Sequence, residues 1–305
     1  MARLIEVDHP AARDGVSCEV CHTTAAVEVT AESAIFRLRP EERTKYGPLC
    51  DAVDHYFHKM GCSPLHSESQ FCAGCHHLTV SLRDGAKVRV LGEYDEWRES
   101  PQSKKGVSCQ DCHMPWDVAP LAAGSAARVN ASHHGFRGDE AELRQRSLTV
   151  SMTIGHSDER LRLEVLVKNS GAAHFVPTGT PDHRVVVQAA TLDASDHEID
   201  RGERSYGKML VDGEGRAAPF FSAAKQASDT RLAPEEARKE TFDLAAPAGA
   251  VSVKLQVFFI DMAPDIARAF AYEPVREIMY EEKRALKVQK DSPAHPRTTK
   301  QEVNR

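Results

Sequence analysis

The chain changes character near residue 145. Beyond that point apolar and polar residues alternate: Leu148-Thr149-Val150-Ser151-Met152-Thr153-Ile154, then Leu161-Arg162-Leu163-Glu164-Val165-Leu166-Val167. Further apolar runs follow at 185–187, 251–260 and 278–280. A period of two marks strands with one buried face, and the Gly, Pro, Asn and Asp residues between the runs mark turns. Several such strands in succession predict an antiparallel β-sandwich over residues 145–289. Before residue 145 no period is sustained. Short helices are predicted at 40–46, 51–60 and 94–100, and a small-residue bridge at 121–128. The fold class read from this pattern is α+β. It comprises a mostly irregular, short-helical region over 1–144, the sandwich, and a polar, disordered tail over 290–305.

Charged residues are 28% of the chain and the formal net charge is −6. This reads as a soluble, mildly acidic protein without the basic block that grips nucleic acid. No apolar run reaches about 18 residues, so no integral membrane segment is expected. The first ten residues hold no apolar stretch of the signal-peptide kind.

Within the irregular region one five-residue pattern occurs three times: Cys18-Glu19-Val20-Cys21-His22, Cys72-Ala73-Gly74-Cys75-His76 and Cys109-Gln110-Asp111-Cys112-His113. C-x-x-C-H is the attachment signature of c-type haem. The two thiols add to the porphyrin vinyl groups, and the adjoining His sits under the iron and ligates it. Three copies predict three covalent haem c groups. Zinc is the rival reading, since paired C-x-x-C motifs build thiolate sites. Zinc ribbons separate their pairs by about 15–20 residues. Here 50 residues lie between Cys21 and Cys72, and 33 between Cys75 and Cys109. Zinc also gives no role to a His after each second Cys. A thioredoxin-type redox pair would need a βαβ context, which is not visible here.

His22, His76 and His113 are the first axial ligands on this reading. An electron-transfer haem takes a second, commonly His or Met, whereas a catalytic haem leaves that face open. Twelve further histidines are available. The strongest candidates are His58, His66, His134 and His174, with His55, His77 and His133 behind them. Met60, Met114 and Met152 are weaker, because Met is more often core filler. Cys50 and Cys62 stand outside the motifs, and an oxidising compartment would permit a disulfide between them.

The segment 94–101 leading into Gly106-Val107-Ser108-Cys109-Gln110-Asp111-Cys112-His113-Met114-Pro115 resembles periplasmic multihaem cytochromes c of the cytochrome c-554 type. So do Ser63-Pro64-Leu65-His66 before Phe71-Cys72, Ser132-His133-His134-Gly135-Phe136, and the turn from His174 to Gly179. The likeness implies closely packed, bis-His-ligated haems followed by a β-sandwich. It makes His66, His134 and His174 distal ligands, with His58 a fourth. Four candidates exceed three motifs, and relatives of this kind often carry further motifs upstream. A start without a signal peptide fits a chain whose N-terminal part lies upstream. A periplasmic or extracellular location is implied.

Three functions follow as expectations. The first is an electron carrier serving redox partner proteins. The second is a reductase with one open-coordination haem, its oxyanion substrate neutralised by Arg98, Arg128, Arg137, Lys104 or Lys105. The third is a subunit of a haem wire or larger electron-transfer assembly with other cytochrome subunits. Trp97 is expected either to stack on a porphyrin or to pack in the core.

Overall fold

The computed structural model describes residues 16–121, 124–135, 141–157 and 159–286, so the predicted polar tail lies outside the described residues. A short helix, α1 (Cys18–His22), leads into a hairpin of β1 (Thr24–Val29) and β2 (Ala34–Leu38). A single 3₁₀ turn, Pro40–Glu42, follows and is ended by Arg43 in the left-handed region at φ 51°. The helix predicted over 40–46 therefore stops after one turn. Its second half is a strand, β3 (Thr44–Gly47), which pairs in parallel with β4 (Lys59–Cys62).

The helix predicted over 51–60 does not form either. Residues 51–58 make a loop and 59–60 enter β4, and a disulfide between Cys50 and Cys62 closes the segment. Local bonds replace the helical ladder: the backbones of His55 and His58 bond each other, and the Asp54 carboxylate accepts from the Met60 N–H. Asp side chains that bond nearby backbone compete with helix in this way.

Next come α2 (Gln70–His76), β5 (Leu78–Ser81), β6 (Lys87–Leu91), α3 (Glu93–Glu99), α4 (Pro101–Lys104), α5 (Cys109–His113), β7 (Trp116–Pro120) and β8 (Ala127–Ser132). The helix predicted over 94–100 is α3. Pro101 ends it by holding Ser100 extended, and the Ser100 hydroxyl then caps α4.

Helix α6 (Ala141–Ser147) leads into β9 (Leu148–Ser157), β10 (Arg160–Asn169), β11 (Arg184–Leu192), β12 (Glu198–Tyr206), β13 (Lys208–Val211), β14 (Lys225–Asp229), β15 (Ala237–Ala245), β16 (Ser252–Ile260), α7 (Pro264–Ala269) and β17 (Arg276–Ala285). A three-stranded sheet, β15-β10-β9, and a four-stranded sheet, β12-β11-β16-β17, hold antiparallel neighbours throughout. The period-two reading of β10 holds residue by residue. Leu161, Leu163, Val165 and Val167 are fully buried, while Arg160, Arg162 and Leu166 face outwards. The inward row packs with Phe242 and Leu244 of β15 and with Val185, Val187, Val253, Leu255 and Val257 of the other sheet. Each such side chain contributes about 1.5–3 kcal/mol over an exposed one. The fold class is α+β, as the sequence pattern predicts.

The motif-bearing region is built differently. Its buried apolar residues, among those described, are Val27, Ala73, Leu82, Val88, Val90 and Ala131. Leu82, Val88 and Val90 belong to the β5–β6 hairpin and pack on Leu210, Ala218 and Ala223 around β13. The protein core of this half thus lies at its seam with the sandwich, not around the motifs. Among the described residues no helix is long and apolar enough to cross a membrane.

Candidate functional site

Each C-x-x-C-H pattern begins or completes a short helix: α1, α2 and α5. Residues i, i+3 and i+4 share one helix face, so both thiols and the imidazole of a motif point the same way. In α5 the start is fixed by a capping box: the Ser108 hydroxyl accepts from the Asp111 N–H, and the Asp111 carboxylate accepts from the Ser108 N–H. In α2 the inner residues are small because Phe36 of β2 lies on them. A Cβ on Gly74 would stand 2.1 Å from Cζ of Phe36.

The motifs cluster. The Ser69 hydroxyl, just before α2, accepts from the Cys109 N–H at 2.9 Å, and the Gln110 amide donates to the carbonyls of His66 and Glu68. The Cys72 and Cys109 thiols lie close enough to interact, which raises the pKa of the first and lowers that of the second. Burial pushes Cys75 and Cys112 up, and Cys21 too, with Cys75 and Cys18 adding to the last.

Histidines remote in sequence meet the motif histidines. The rings of His113 and His174 have centres 6.3 Å apart and planes 22° from parallel. His22 lies 6.0 Å from both His134 (26°) and His66 (20°). Metal–imidazole bonds of about 2.0–2.1 Å, doubled and extended by two ring radii, give roughly 6 Å between the centres of two axial imidazoles. Ring-nitrogen partners separate the two candidates at His22. Nδ1 of His22 is 2.6 Å from the Tyr46 carbonyl, and Nδ1 of His134 is 2.8 Å from that of Ser132. A ring whose Nδ1–H is held by a carbonyl offers Nε2 to a metal. His174 has the same arrangement, with Nδ1 3.1 Å from the Phe175 carbonyl. His66 is reversed: its Nε2 is 3.0 Å from the Cys21 carbonyl, and its Nδ1 is buried without a partner. Burial holds the His66 imidazolium down, and burial followed by the neighbouring His174 and His76 holds His113 to about 4. Neutral imidazole is the form that ligates iron.

The remaining candidates fall elsewhere. His58 packs against His55, ring centres 5.7 Å apart, and its Nδ1 is buried without a partner. Among the described residues no imidazole ring pairs with His76. His77 is buried and committed to Thr30, Arg89 and Asp95, which hold the β1–β2 hairpin against α3. His133 lies after β8 with its Nδ1 accepting from the Gly135 N–H. Met152 fills the sandwich core. Trp97 donates its indole N–H to the Val107 carbonyl and stacks on Tyr94. Arg98 pairs with Asp95 and Arg128 with Asp51, while Lys104 and Lys105 are exposed. Arg137 lies outside the described residues.

Two supporting residues carried no sequence signal. Asn169, fully buried at the end of β10, donates to the carbonyls of His174 and Leu232 and accepts from the Ala172 N–H. It ties down the loop that presents His174. Glu93, at the start of α3, binds the Thr178 hydroxyl at 2.8 Å and the Gly179 N–H at 2.7 Å through Oε1. Its Oε2 is 3.7 Å from Nδ1 of His76, an ion-pair distance longer than a hydrogen bond. Burial opposes its charge, yet His76, its own backbone N–H and Thr178 hold the carboxyl at about 2. His76 is raised in turn, chiefly by Glu93.

Among the described residues no three His, Cys, Asp or Glu side chains converge as a ligand set for a lone ion. The donors come as thiol pairs beside one imidazole and as facing imidazole pairs. Buried unpartnered ring nitrogens remain on His58 and His66. Thiol pairs beside an imidazole, and a second imidazole opposite, are the kinds of donor that a c-type haem takes.

A penta-heme cytochrome c552 from Thermochromatium tepidum has a solved structure that aligns with 92% of this chain and 79% of its own, at a TM-score of 0.68 and 22% identity. The fold is thus that of a multihaem cytochrome c. Two other aligned structures, a structural-genomics target designated SoR45 and the ApaA protein of Bordetella pertussis, reach TM-scores of only 0.23 and 0.22 at 8% and 17% identity, and carry no argument. They span 52% and 45% of this chain and 97% and 90% of their own. No protein-family model and no curated protein matches the chain.

Proposed function

We propose that this chain is a c-type cytochrome that carries electrons through three covalently held haems. Bound there, haem supplies one-electron iron chemistry. Cys18 and Cys21, Cys72 and Cys75, and Cys109 and Cys112 tether the groups, and His22, His76 and His113 ligate them. His134 and His174 complete the first and third sites, and His66 and His58 stand as further ligands. The observation that carries this reading is the repeated meeting of a motif histidine with a histidine from another part of the chain, at the spacing of two axial imidazoles. Residues 1–144 serve as the haem region and 145–289 as a sandwich that closes over the third site through His174. Redox proteins and other cytochrome subunits are its partners. The periplasm or the cell exterior is its compartment, where thioether assembly and the Cys50–Cys62 disulfide are both permitted.

A second reading is favoured by one observation. His76 is the motif histidine without a facing imidazole among the described residues, so the second site can serve as an open, catalytic centre.

Intact mass after production in a cell competent for cytochrome c assembly tests the first reading. The expected value is the polypeptide plus three haems, and the bare polypeptide mass refutes it. Low-temperature electron paramagnetic resonance of the oxidised protein then separates the readings. Three low-spin irons mark the carrier, and one high-spin iron that responds to added nitrogen or sulfur oxyanions marks the enzyme.

A further inference from the structure

We propose that Glu93 lowers the reduction potential of the second haem by accepting a hydrogen bond from the outer ring nitrogen of its ligand, His76. The inference rests on the reading above that His76 ligates a tethered haem.

The geometry gives Glu93 two separate jobs. Oε1 is committed to Thr178 and Gly179, at 2.8 and 2.7 Å, so the carboxylate is clamped to the sandwich turn. Oε2 is buried and has no hydrogen-bond partner of its own. Among the described residues, the ring nitrogen that faces it is Nδ1 of His76, at 3.7 Å. A small rotation of the imidazole brings this to the usual N–H···O distance of about 2.9 Å. His76 then presents Nε2 to the iron, as a ligating imidazole held from behind must.

The first and second sites differ in this respect. Behind His22 stands a neutral acceptor, the Tyr46 carbonyl, at 2.6 Å. Behind His76 stands a carboxylate. A charged acceptor draws the ring proton away and makes the imidazole a more basic ligand, which favours ferric over ferrous iron. The charge itself, sheltered from water, adds to the same preference. Between these two sites, the second is the one whose potential a dedicated side chain would depress. Because the same carboxylate clamps the turn that follows His174, it also couples the second site mechanically to the third.

Spectroelectrochemical titration of the mature holoprotein tests this, with haem content fixed first by intact mass. Glu93→Gln keeps an oxygen for Thr178 and Gly179 but turns an N–H₂ group towards His76. It is expected to raise one of three midpoints by about tenfold in the electron-transfer equilibrium, about 59 mV for one electron. Glu93→Asp, which restores the charge, is expected to recover most of that shift. A merely structural role would not show this rescue by charge.

Three attached haems with unmoved midpoints overturn the inference alone. A shift shared equally by all three midpoints also overturns it, because that is bulk electrostatics. A wild-type protein without haem overturns the functional reading beneath it. If Glu93→Gln does not mature, Glu93→Ala replaces it, since it removes the carboxylate and sets no donor against His76. One midpoint raised by a similar amount then supports the inference, and unchanged midpoints refute it.

Discussion

His113 and His174 face each other with ring centres 6.3 Å apart and planes 22° from parallel, although one ends a motif helix and the other lies in a turn of the sandwich. Neither reaches the other by local geometry. The turn carrying His174 is pinned on three sides. Asn169 donates to the His174 carbonyl, Glu96 accepts from the Phe175 N–H at 2.9 Å, and Glu93 holds Thr178 and Gly179. Glu96 is in turn paired with Arg231 at 2.9 Å. The sandwich is thus the support that sets the His174 ring opposite His113.

Replacing His174 should therefore change the spin state of one iron and leave the haem count alone. In His174→Ala, Cys109, Cys112 and His113 still tether and ligate. The expected outcome is an intact mass unchanged except for the substitution, together with one new high-spin signal in the oxidised electron paramagnetic resonance spectrum. Only low-spin signals in that variant would assign His174 to packing.

Asn169 has no direct part in ligation, so its loss should appear first in stability. Asn169→Ala strips the side-chain partner from the His174 carbonyl and the Ala172 N–H, while the Leu232 carbonyl keeps the Val176 N–H, around a side chain that is itself fully buried. An unmet buried polar group costs about 1–3 kcal/mol. Denaturant unfolding of the mature protein should show a midpoint lowered by that amount at an unchanged slope. A variant as stable as the wild type would mean that water replaces the amide at no cost.

The motifs and the sandwich strands were legible because both are local. A five-residue pattern is complete in itself, and β10 alternates apolar and polar residues except at Leu166, which is apolar yet exposed. The ligand pairs were only half legible. His66 and His134 looked alike, and the distinction lies in which ring nitrogen meets a carbonyl, Cys21 for one and Ser132 for the other. His77 stood beside a motif histidine as a conceivable ligand, yet Asp95 and Arg89 claim it. The predicted helix over 51–60 lost to a disulfide and a polar turn, neither of which a helical period records. Glu93 gave no sign, since an acidic residue in a helix's first turn already has an ordinary reason to be there.

The Ala-Gly interior of the second motif follows from Phe36. Gly74→Ala places a methyl group 2.1 Å from the ring tip, and Phe36 is itself packed on Phe71 with ring centres 5.6 Å apart. Overpacking of this kind costs about 1–3 kcal/mol. The expected result is a fraction of molecules with two haems instead of three by intact mass. Phe36→Ala in the same chain should restore the third. A Gly74→Ala protein with full haem content and unaltered stability would show that β2 moves aside freely.

Thiol reactivity before haem attachment should be uneven, and its pH dependence has a definite sign. The thiolate is the nucleophile, so a thiol of lowered pKa reacts from a lower pH upwards. The neighbouring Cys72 thiol, chiefly, lowers Cys109, while burial raises Cys21, Cys75 and Cys112. Cys72 is raised by the same interaction and by its own burial. In protein made without the cytochrome c assembly machinery, iodoacetamide should modify Cys109 ahead of these four, with its half-maximal rate at a lower pH than theirs, read by peptide mass spectrometry. Cys72→Ala removes that neighbour and should carry the half-point towards the ordinary thiol value of about 8.5. A Cys109 profile that Cys72→Ala leaves unmoved would show that the second and third motifs do not meet through their sulfurs.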